Sequence, residues 1–529
     1  MTFIKDLDTP LLRLSPNDVW SLRDGCAGVH AFGQIGGGKT SAAKMLAGAY
    51  LRAGFGGLVT AVKPEEVELW KRYAKEHGRE RSLILFDENE GFNFLTFELS
   101  RQGGADGIGT VTECLMRILE AAKKTNPTAT HRSGEAFWDD YTRKTLRYSI
   151  LPLYAANGTV SVGDIIRFLS TAPRSSQEAT DARWQERSFM YGVMKSATRS
   201  PRVPIPAQAL RDNIDFWSEE YPAIPEKTLG NVLATVSATL DRFKHGRLQR
   251  AFCGATTVVP ELSLHGAVIV LAMPTLTWND DGVIAQQLFK YMWQRAVLGR
   301  NGLNEKHRER PVFLWSDEAQ ETVNSYDFEF QSMCRASRCC TVYLTQSLPT
   351  YYAKIGGDNP RDAAHALVGK FATQIFFSNS CAETNEYAAR TIGKVMKRHA
   401  NYNAGMSQSV NFGMSEGGSE NRGGNSNYGF SSSRSQGQGQ GRSTTFSFNA
   451  GNSNGTASNW GANRSAGRSD SESRGYSESM EYVIEPGDFA RILKTGGKPN
   501  NNLVTAVWFQ SGRIFKATGQ NTILETFQQ

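Results

Sequence analysis

The sequence predicts an α/β fold, a parallel sheet with helices on both faces, and three observations carry the prediction. Short apolar runs alternate with stretches of helical periodicity at the spacing of β–α units. The first such run, Val29-His30-Ala31-Phe32, leads into a glycine-rich loop and then a helix, within the string GVHAFGQIGGGKT from Gly28 to Thr40. A later run ends in paired carboxylates, Asp317-Glu318.

The glycine loop has the pattern G-x-x-x-x-G-K-[ST] in its required context, strand before and helix after. It runs Gly33, Gln34, Ile35, Gly36, Gly37, Gly38, Lys39, Thr40, and Ser41 continues the helix. Glycines let the loop N–H groups curl around a phosphate with no Cβ in the way. Lys39 is placed to reach the β- and γ-phosphates and Thr40 to hold Mg²⁺, with the helix N-terminus adding a favourable dipole. These nine residues are the predicted nucleoside triphosphate site.

A chain of 529 residues has room for two or three domains. The net charge of +7 suits a protein that handles a polyanion without demanding one. Seven cysteines (Cys26, Cys114, Cys253, Cys334, Cys339, Cys340, Cys381) show no C-x-x-C pair, which reads as reduced thiols in a cytosolic protein. The N-terminal stretch lacks the apolar core of a signal peptide. The longest apolar run, Ala267 to Met273, is far short of the ~20 residues of a spanning helix. The expectation is a cytoplasmic protein with no transmembrane segment of its own, reaching the inner membrane through partners.

In chain order, residues 1–27 form an amphipathic lead-in, with Ser15-Pro16-Asn17-Asp18 as a helix start. Residues 28–104 hold the loop, a second strand at Leu58–Val62 ending in Lys63-Pro64, a helix from Glu65 to His77 and a third strand at Ser82–Phe86. Ligands of such sheets collect beyond the carboxyl ends of the strands, where Lys63 and Asp87 belong. Residues 105–255 read as an inserted, mostly α-helical domain. Its helical stretches are Thr112–Lys123, Ala136–Ala155, Gly163–Leu169, Gln185–Ala197 and Thr228–Phe243, with a bend at Pro201, Pro204 and Pro206. Residues 256–400 resume the sheet: a strand at Ala267–Ala272, a helix from Gly282 to Leu298, a charged loop at Asn301–Arg310, and strands at Pro311–Glu318, Thr341–Gln346 and Phe371–Phe377. Residues 401–479 are Gly/Ser/Asn-rich and predict a disordered insertion, because they offer too little apolar surface to offset ordering entropy. Residues 480–529 return to strand patterning and predict a final β-hairpin completing the sheet domain.

Asp317 and Glu318 stand where a Walker B pair belongs. A carboxylate at a strand's end can hold Mg²⁺, which fits Asp317, and the next one, Glu318, can polarise the attacking water. Gln346 ends the following strand, where an amide can hydrogen-bond the γ-phosphate or the lytic water. Arg335 and Arg338 precede that strand. Either can be an arginine offered to a neighbouring subunit's phosphates, or a surface arginine facing solvent or nucleic acid. Two basic clusters, Lys244/Arg247/Arg250 and Lys394/Lys397/Arg398, read as solvated faces or as DNA tracks.

Taken together these residues resemble the FtsK/HerA superfamily of P-loop ATPases, and within it the TraG/TraD-like coupling proteins of conjugation and type IV secretion. The similarity includes GQIGGGKT, Val62-Lys63-Pro64-Glu65 after the second strand, Gly91-Phe92-Asn93-Phe94, Phe137-Trp138-Asp139 at the entry to the helical insertion, Asp317-Glu318, Arg335, Thr345-Gln346-Ser347, and Glu485-Pro486-Gly487-Asp488 before the closing hairpin. It spans about 28–400 and 481–515. The chain departs from the family pattern in four respects: no acidic residue precedes Lys63-Pro64, no proline follows Asn93, the usual N-terminal membrane helices are not read in it, and the Gly/Ser-rich tract is not typical.

The resemblance implies a RecA-like fold, ATP and Mg²⁺ as cofactors, and a homo-oligomer, a hexameric ring. It also implies DNA bound without sequence readout, with a relaxase and type IV secretion channel proteins as partners. The implied activity is an ATP-driven DNA translocase with Lys39, Glu318, Gln346 and Arg335 as catalytic residues and Thr40 and Asp317 at the metal. Two other functions remain open at this stage. One is a helicase or DNA-packaging ATPase of the same superfamily without a secretion channel; the other is an ATP-gated assembly adaptor with little turnover.

Overall fold

The computed structural model describes all residues except 1–2, 102–105, 126–134, 357–358, 419–424, 433–443 and 451–457. The chain divides into two compact units, Met1–Ala388 with Pro486–Gln529, and Ala389–Glu485.

The first unit opens with a hairpin, β1 (Pro10–Ser15) and β2 (Asp18–Ser21), paired antiparallel. Here the expectation of a helix start at Ser15-Pro16-Asn17-Asp18 is corrected. The Ser15 hydroxyl donates to Asp18 Oδ2 at 2.6 Å and accepts from the Asn17 N–H at 3.2 Å, closing a turn. The same residue types serve turns and helix caps, and the cap lies one strand later. Ser21 caps the short helix α1 (Leu22–Cys26) in a capping box with Asp24.

Seven parallel strands follow: β3 (Val29–Phe32), β4 (Gly56–Thr60), β5 (Leu83–Phe86), β6 (Val268–Leu271), β7 (Val312–Ser316), β8 (Cys339–Thr345) and β9 (Thr373–Phe376). Helix α2 (Lys39–Arg52) follows β3, and α3 (Pro64–Glu76) follows β4. β3, β4, β7 and β8 are buried along their whole length, as parallel strands covered on both faces must be. That is why they read as unbroken apolar runs.

Between β5 and β6 the described residues are helical: α4 (Phe94–Arg101), α5 (Gly107–Thr125), α6 (Glu135–Asn157), and shorter helices from Val162 to Cys253. The helix read across Gln185–Ala197 is two helices, Ala182–Arg187 and Phe189–Arg199. The break is at Ser188, whose hydroxyl accepts from the Tyr191 N–H at 3.2 Å and donates to Thr171 O at 2.9 Å. The loop read at Asn301–Arg310 contains a short helix, Glu305–Glu309, capped by Asn304. Helix Asp280–Gly299 is buried on nearly every side, which marks a helix running through the interior.

The second unit contains β10 (Lys394–Gly418), β11 (Asn425–Ser432), β12 (Thr444–Ala450) and β13 (Ser458–Tyr482) in a four-stranded sheet. β10 and β13 run antiparallel in unbroken register from Lys394 opposite Tyr482 to Gly418 opposite Ser458. Parts of the Gly/Ser/Asn-rich tract, 419–424, 433–443 and 451–457, lie outside the described residues. In its described parts, the composition that argues against a packed core meets backbone pairing. Such pairing satisfies N–H and C=O groups whatever the side chains are.

The chain then returns to the first unit with β14 (Leu503–Gln510), antiparallel to β9, and β15 (Thr522–Gln528), antiparallel to β14. The finished sheet has nine strands in the order β15-β14-β9-β3-β8-β7-β4-β6-β5. Four neighbours in that order, β3, β8, β7 and β4, end at the same edge, and each carries a residue of the site.

Candidate nucleotide site

The glycine loop leaves β3 and is tied down where it starts. The Gly33 N–H donates to Thr345 O at 3.2 Å and the Gln34 N–H to Ser378 O at 3.1 Å. A Cβ at Gly37 would stand 2.9 Å from Gln34 O and 3.0 Å from Ser378 O, both backbone atoms that cannot yield. Gly38 precedes the first residue of α2 with φ 90°, and a Cβ there would come within 2.3 Å of Val504 Cγ1. These two glycines are steric requirements of the loop.

Lys39 Nζ donates to Gly33 O at 2.6 Å and Gln34 O at 3.4 Å, inside the loop's own curl. Burial pulls the Lys39 ammonium below its usual range, against the charges of Glu318 and Asp317. Loop and helix start form one wall of a cleft of about 460 Å³, lined by Gln34 through Ser41, Lys63, Asp317 and Glu318 among others.

Asp317 and Glu318 follow β7. The Glu318 N–H donates to Asp317 Oδ1 at 3.0 Å. Loss of water around Asp317, then the charge of Glu318, raise its pKa, while the Lys39 and Lys63 ammonium groups oppose the rise. Glu318 adopts the left-handed conformation, φ 49° and ψ 51°, a strained backbone for a non-glycine residue that is characteristic of functional positions. Its carboxylate is buried and surrounded by donors. Gln346 Nε2 lies 3.1 and 3.2 Å from its two oxygens, Gln320 Nε2 2.9 Å and Lys63 Nζ 3.4 Å away. Burial works to raise the Glu318 pKa, but the Gln320 and Gln346 hydrogen bonds, with the Lys39 and Lys63 charges, hold it below the usual glutamate range. The result is an ionised carboxylate at neutral pH facing the cleft.

The fold therefore brings Gly33–Ser41, Asp317, Glu318 and Gln346 together. Lys63 joins them at the end of β4, whereas Asp87, after the edge strand β5, is not among the lining residues. The two arginines part company. Both precede β8, at the sheet edge opposite the loop. Arg338 donates to Lys5 O at 2.6 Å and Glu309 O at 3.3 Å, a structural clasp. The Arg335 side chain is exposed and makes no hydrogen bond or ion pair among the described residues, while its backbone carbonyl accepts from the Arg338 N–H at 3.0 Å. The basic clusters carry their own counter-charges. Lys244 pairs with Asp241, and Arg247 and Arg250 with Glu88. Lys397 pairs with Glu481 and Arg398 with Glu478, while Lys394 lies over the Tyr482 ring.

Three participants escape sequence reading. Gln320 links Glu318 to the Thr345 hydroxyl, which donates to Gln320 Oε1 at 2.7 Å. Glu66 is buried in the first turn of α3, and its Oε2 accepts from the Val62 N–H at 2.8 Å. Burial, then the Asp317 charge, push its carboxyl up to about 8. Tyr73, one turn further along the same helix face as Trp70, has a buried hydroxyl with no hydrogen-bond partner among the described residues. The usable signal was Pro64 at the first helical position, which puts Glu66 third, where a glutamate reaches back to the preceding backbone.

The donor set suits a magnesium–nucleotide complex. The loop keeps its curl because a Cβ at Gly33, Gly37 or Gly38 would strike neighbouring protein atoms, an ammonium sits inside that curl, and a threonine hydroxyl and a poorly solvated carboxylate line the same cleft.

Residues 311–445 match the family model described as the TraM recognition site of TraD and TraG. No curated protein matches the chain by sequence. Among solved structures, the unbound bacterial conjugative coupling protein TrwBdeltaN70 is similar with a TM-score of 0.52 and 13% identity, over 95% of this chain and 85% of that one. The plasmid coupling protein TrwB in complex with the non-hydrolysable ATP analogue ADPNP has a TM-score of 0.52 and 13% identity, over 100% of this chain and 90% of that one. TrwB with ADP and Mg²⁺ gives 0.51 and 12%, over 96% and 86%. At these identities the likeness is one of fold. The resemblance to TraG- and TraD-like coupling proteins thus rests on a sequence match over 311–445 and on a shared fold over nearly the whole chain.

Proposed function

We propose that this chain, similar in fold to a conjugative coupling protein, is an ATPase that drives DNA, or a DNA–protein complex, towards a transfer channel. The observation that carries the proposal is Glu318: a buried, ionised carboxylate, oriented by Gln320 and Gln346, across the cleft from Lys39. Such a group accepts the proton of a water attacking the γ-phosphorus as the bond to the leaving ADP oxygen breaks. Mg²⁺, when bound with the nucleotide, offsets phosphate charge. Thr40 and Asp317 are the residues to hold it, Lys39 steadies the β- and γ-phosphates, and the loop N–H groups cradle them. Gln346, bonded to Glu318, senses whether the γ-phosphate is there. Arg335, exposed and unclasped, is the arginine offered to a neighbouring copy's phosphates in a hexameric ring.

Non-specific grip on DNA phosphates suits a moving motor, and the modest positive charge agrees with it. The match to a TraM recognition site supports partners among the proteins that assemble on transfer DNA, a relaxase and channel components included. Among the described residues no helix is long and apolar enough to cross a membrane. The reading includes docking at the inner membrane from the cytoplasm through partners.

Phosphate release measured with and without DNA tests the proposal. The expected result is DNA-stimulated turnover that falls by about 10²–10⁴-fold in Glu318→Gln, the range for loss of a general base, with nucleotide binding retained. Lys39→Ala is expected to lose both. Wild-type protein that releases no phosphate with DNA, ATP and Mg²⁺ present overturns it and leaves the adaptor reading.

A further inference from the structure

Behind the nucleotide cleft lies a second, much smaller cavity of about 10 Å³, bounded by Thr40, Glu66, Tyr73 and Asp317, by Thr60, whose hydroxyl donates to Ser316 Oγ at 2.9 Å, and by apolar neighbours. That is about the room one water needs. We propose that Glu66 and Tyr73, from one face of α3, hold a water there against Asp317 and Thr40, and so form a second wall supporting the metal–nucleotide complex. The inference rests on the nucleotide-site reading and adds two positioning residues to it.

Helical spacing puts the two side chains on one face, since residues four and seven apart lie one above the other. Glu66, Trp70 and Tyr73 occupy that face, and all three border the cavity. The Tyr73 hydroxyl has a feature that packing leaves unexplained. The Tyr73 ring packs edge-on against Trp70 at 5.8 Å between centroids, a contact that phenylalanine would make equally well. Its hydroxyl is nonetheless buried and unpartnered among the described residues, a costly arrangement unless a water or ligand meets it. Glu66 spends one oxygen on the Val62 N–H at 2.8 Å, which fixes the carboxyl beside Asp317 rather than letting it turn to solvent. Two acidic side chains, a hydroxyl and a phenol around a one-water space provide the two to four polar partners that a buried water requires. Asp317 is thereby held from behind while its front faces the cleft.

The test is the affinity of the full chain for ADP, measured by titration calorimetry in Mg²⁺ and again in excess EDTA. Tyr73→Phe keeps the ring and removes one hydrogen bond. It is expected to weaken binding in Mg²⁺ about fivefold and leave binding in EDTA unchanged, with no loss of thermal stability. Glu66→Gln, which keeps an oxygen for the Val62 N–H, is expected to act in the same direction. Equal weakening in both media, or none in either, for Tyr73→Phe overturns the inference while leaving the nucleotide site intact. Wild-type protein that binds no ADP in Mg²⁺ overturns the site and the inference together.

Discussion

His30 lies in β3, immediately before the loop, fully enclosed by aromatic rings, with Nε2 2.9 Å from the Tyr351 hydroxyl and Nδ1 without a partner. Burial lowers its pKa to about 3, against ~6.5 in an unfolded chain. Below pH ~6.5 the unfolded state binds the proton and the folded state refuses it. The stabilisation is therefore complete above that pH and is lost as the pH falls toward 3, by up to about 1.4 kcal/mol per pH unit. In urea melts between pH 7 and 4.5, His30→Phe should flatten the stability curve relative to wild type. Parallel curves would show that His30 titrates elsewhere. Glu318 presents the opposite case, since its donors keep it charged where burial alone would not. The interior of β3 thus excludes charge, and the end of β7, its neighbour but one, retains it.

Among the elements, the helix Asp280–Gly299 shows how the fold secures the segment after Asp317-Glu318. Lys290, fully buried, donates to Thr322 O and to Asp327 Oδ2, each at 2.6 Å. Asp327 also accepts from Gln294 at 2.7 Å and from the Tyr343 hydroxyl at 2.8 Å. The network joins that helix, the helix Ser325–Met333 and β8, and Arg335 lies two residues beyond the end of Ser325–Met333. α5 holds the same stretch from outside, with Lys124 donating to Val323 O and Glu120 accepting from the Ser325 N–H. Removing one partner of a buried pair strands the other charge. Lys290→Met should therefore cost about 3–5 kcal/mol in chemical denaturation, and Lys290→Met/Asp327→Leu less than that single change. A double variant less stable than Lys290→Met would show that Asp327 matters through its other bonds.

At the scale of the whole molecule, the loop and Arg335 stand at opposite edges of the sheet, so no chain completes its own site with that arginine. Under the proposed ring, a subunit with Arg335→Ala keeps a sound loop, and one with Lys39→Ala keeps a sound arginine. Each variant alone should lose most turnover, a trans arginine being worth about 10³–10⁵ in rate. Mixing the two should restore a measurable fraction at seams where the sound halves meet. A mixture no more active than its parts would remove Arg335 from the seam. Arg338→Ala should instead lower stability, because Arg338 clasps the carbonyls of Lys5 and Glu309.

Much of this was legible along the chain, because local chemistry writes local structure. The loop had to be glycine-rich, parallel strands buried on both faces had to be apolar throughout, and Asp317-Glu318 announced itself by ending such a run. The N-terminal hairpin was misread where turn and cap share the same residues, and the Gln185–Ala197 helix where a serine cap interrupts an unbroken periodicity. What the tertiary structure alone decided is adjacency. Sheet order sets β8 between β3 and β7 and brings β4 alongside, so Gln346, Lys63, Gln320, Glu66 and Tyr73 converge on Asp317-Glu318 from positions up to 28 residues downstream and more than 200 upstream. Strand order follows from how the faces pack together, and no spacing within a single chain encodes which strand lies beside which.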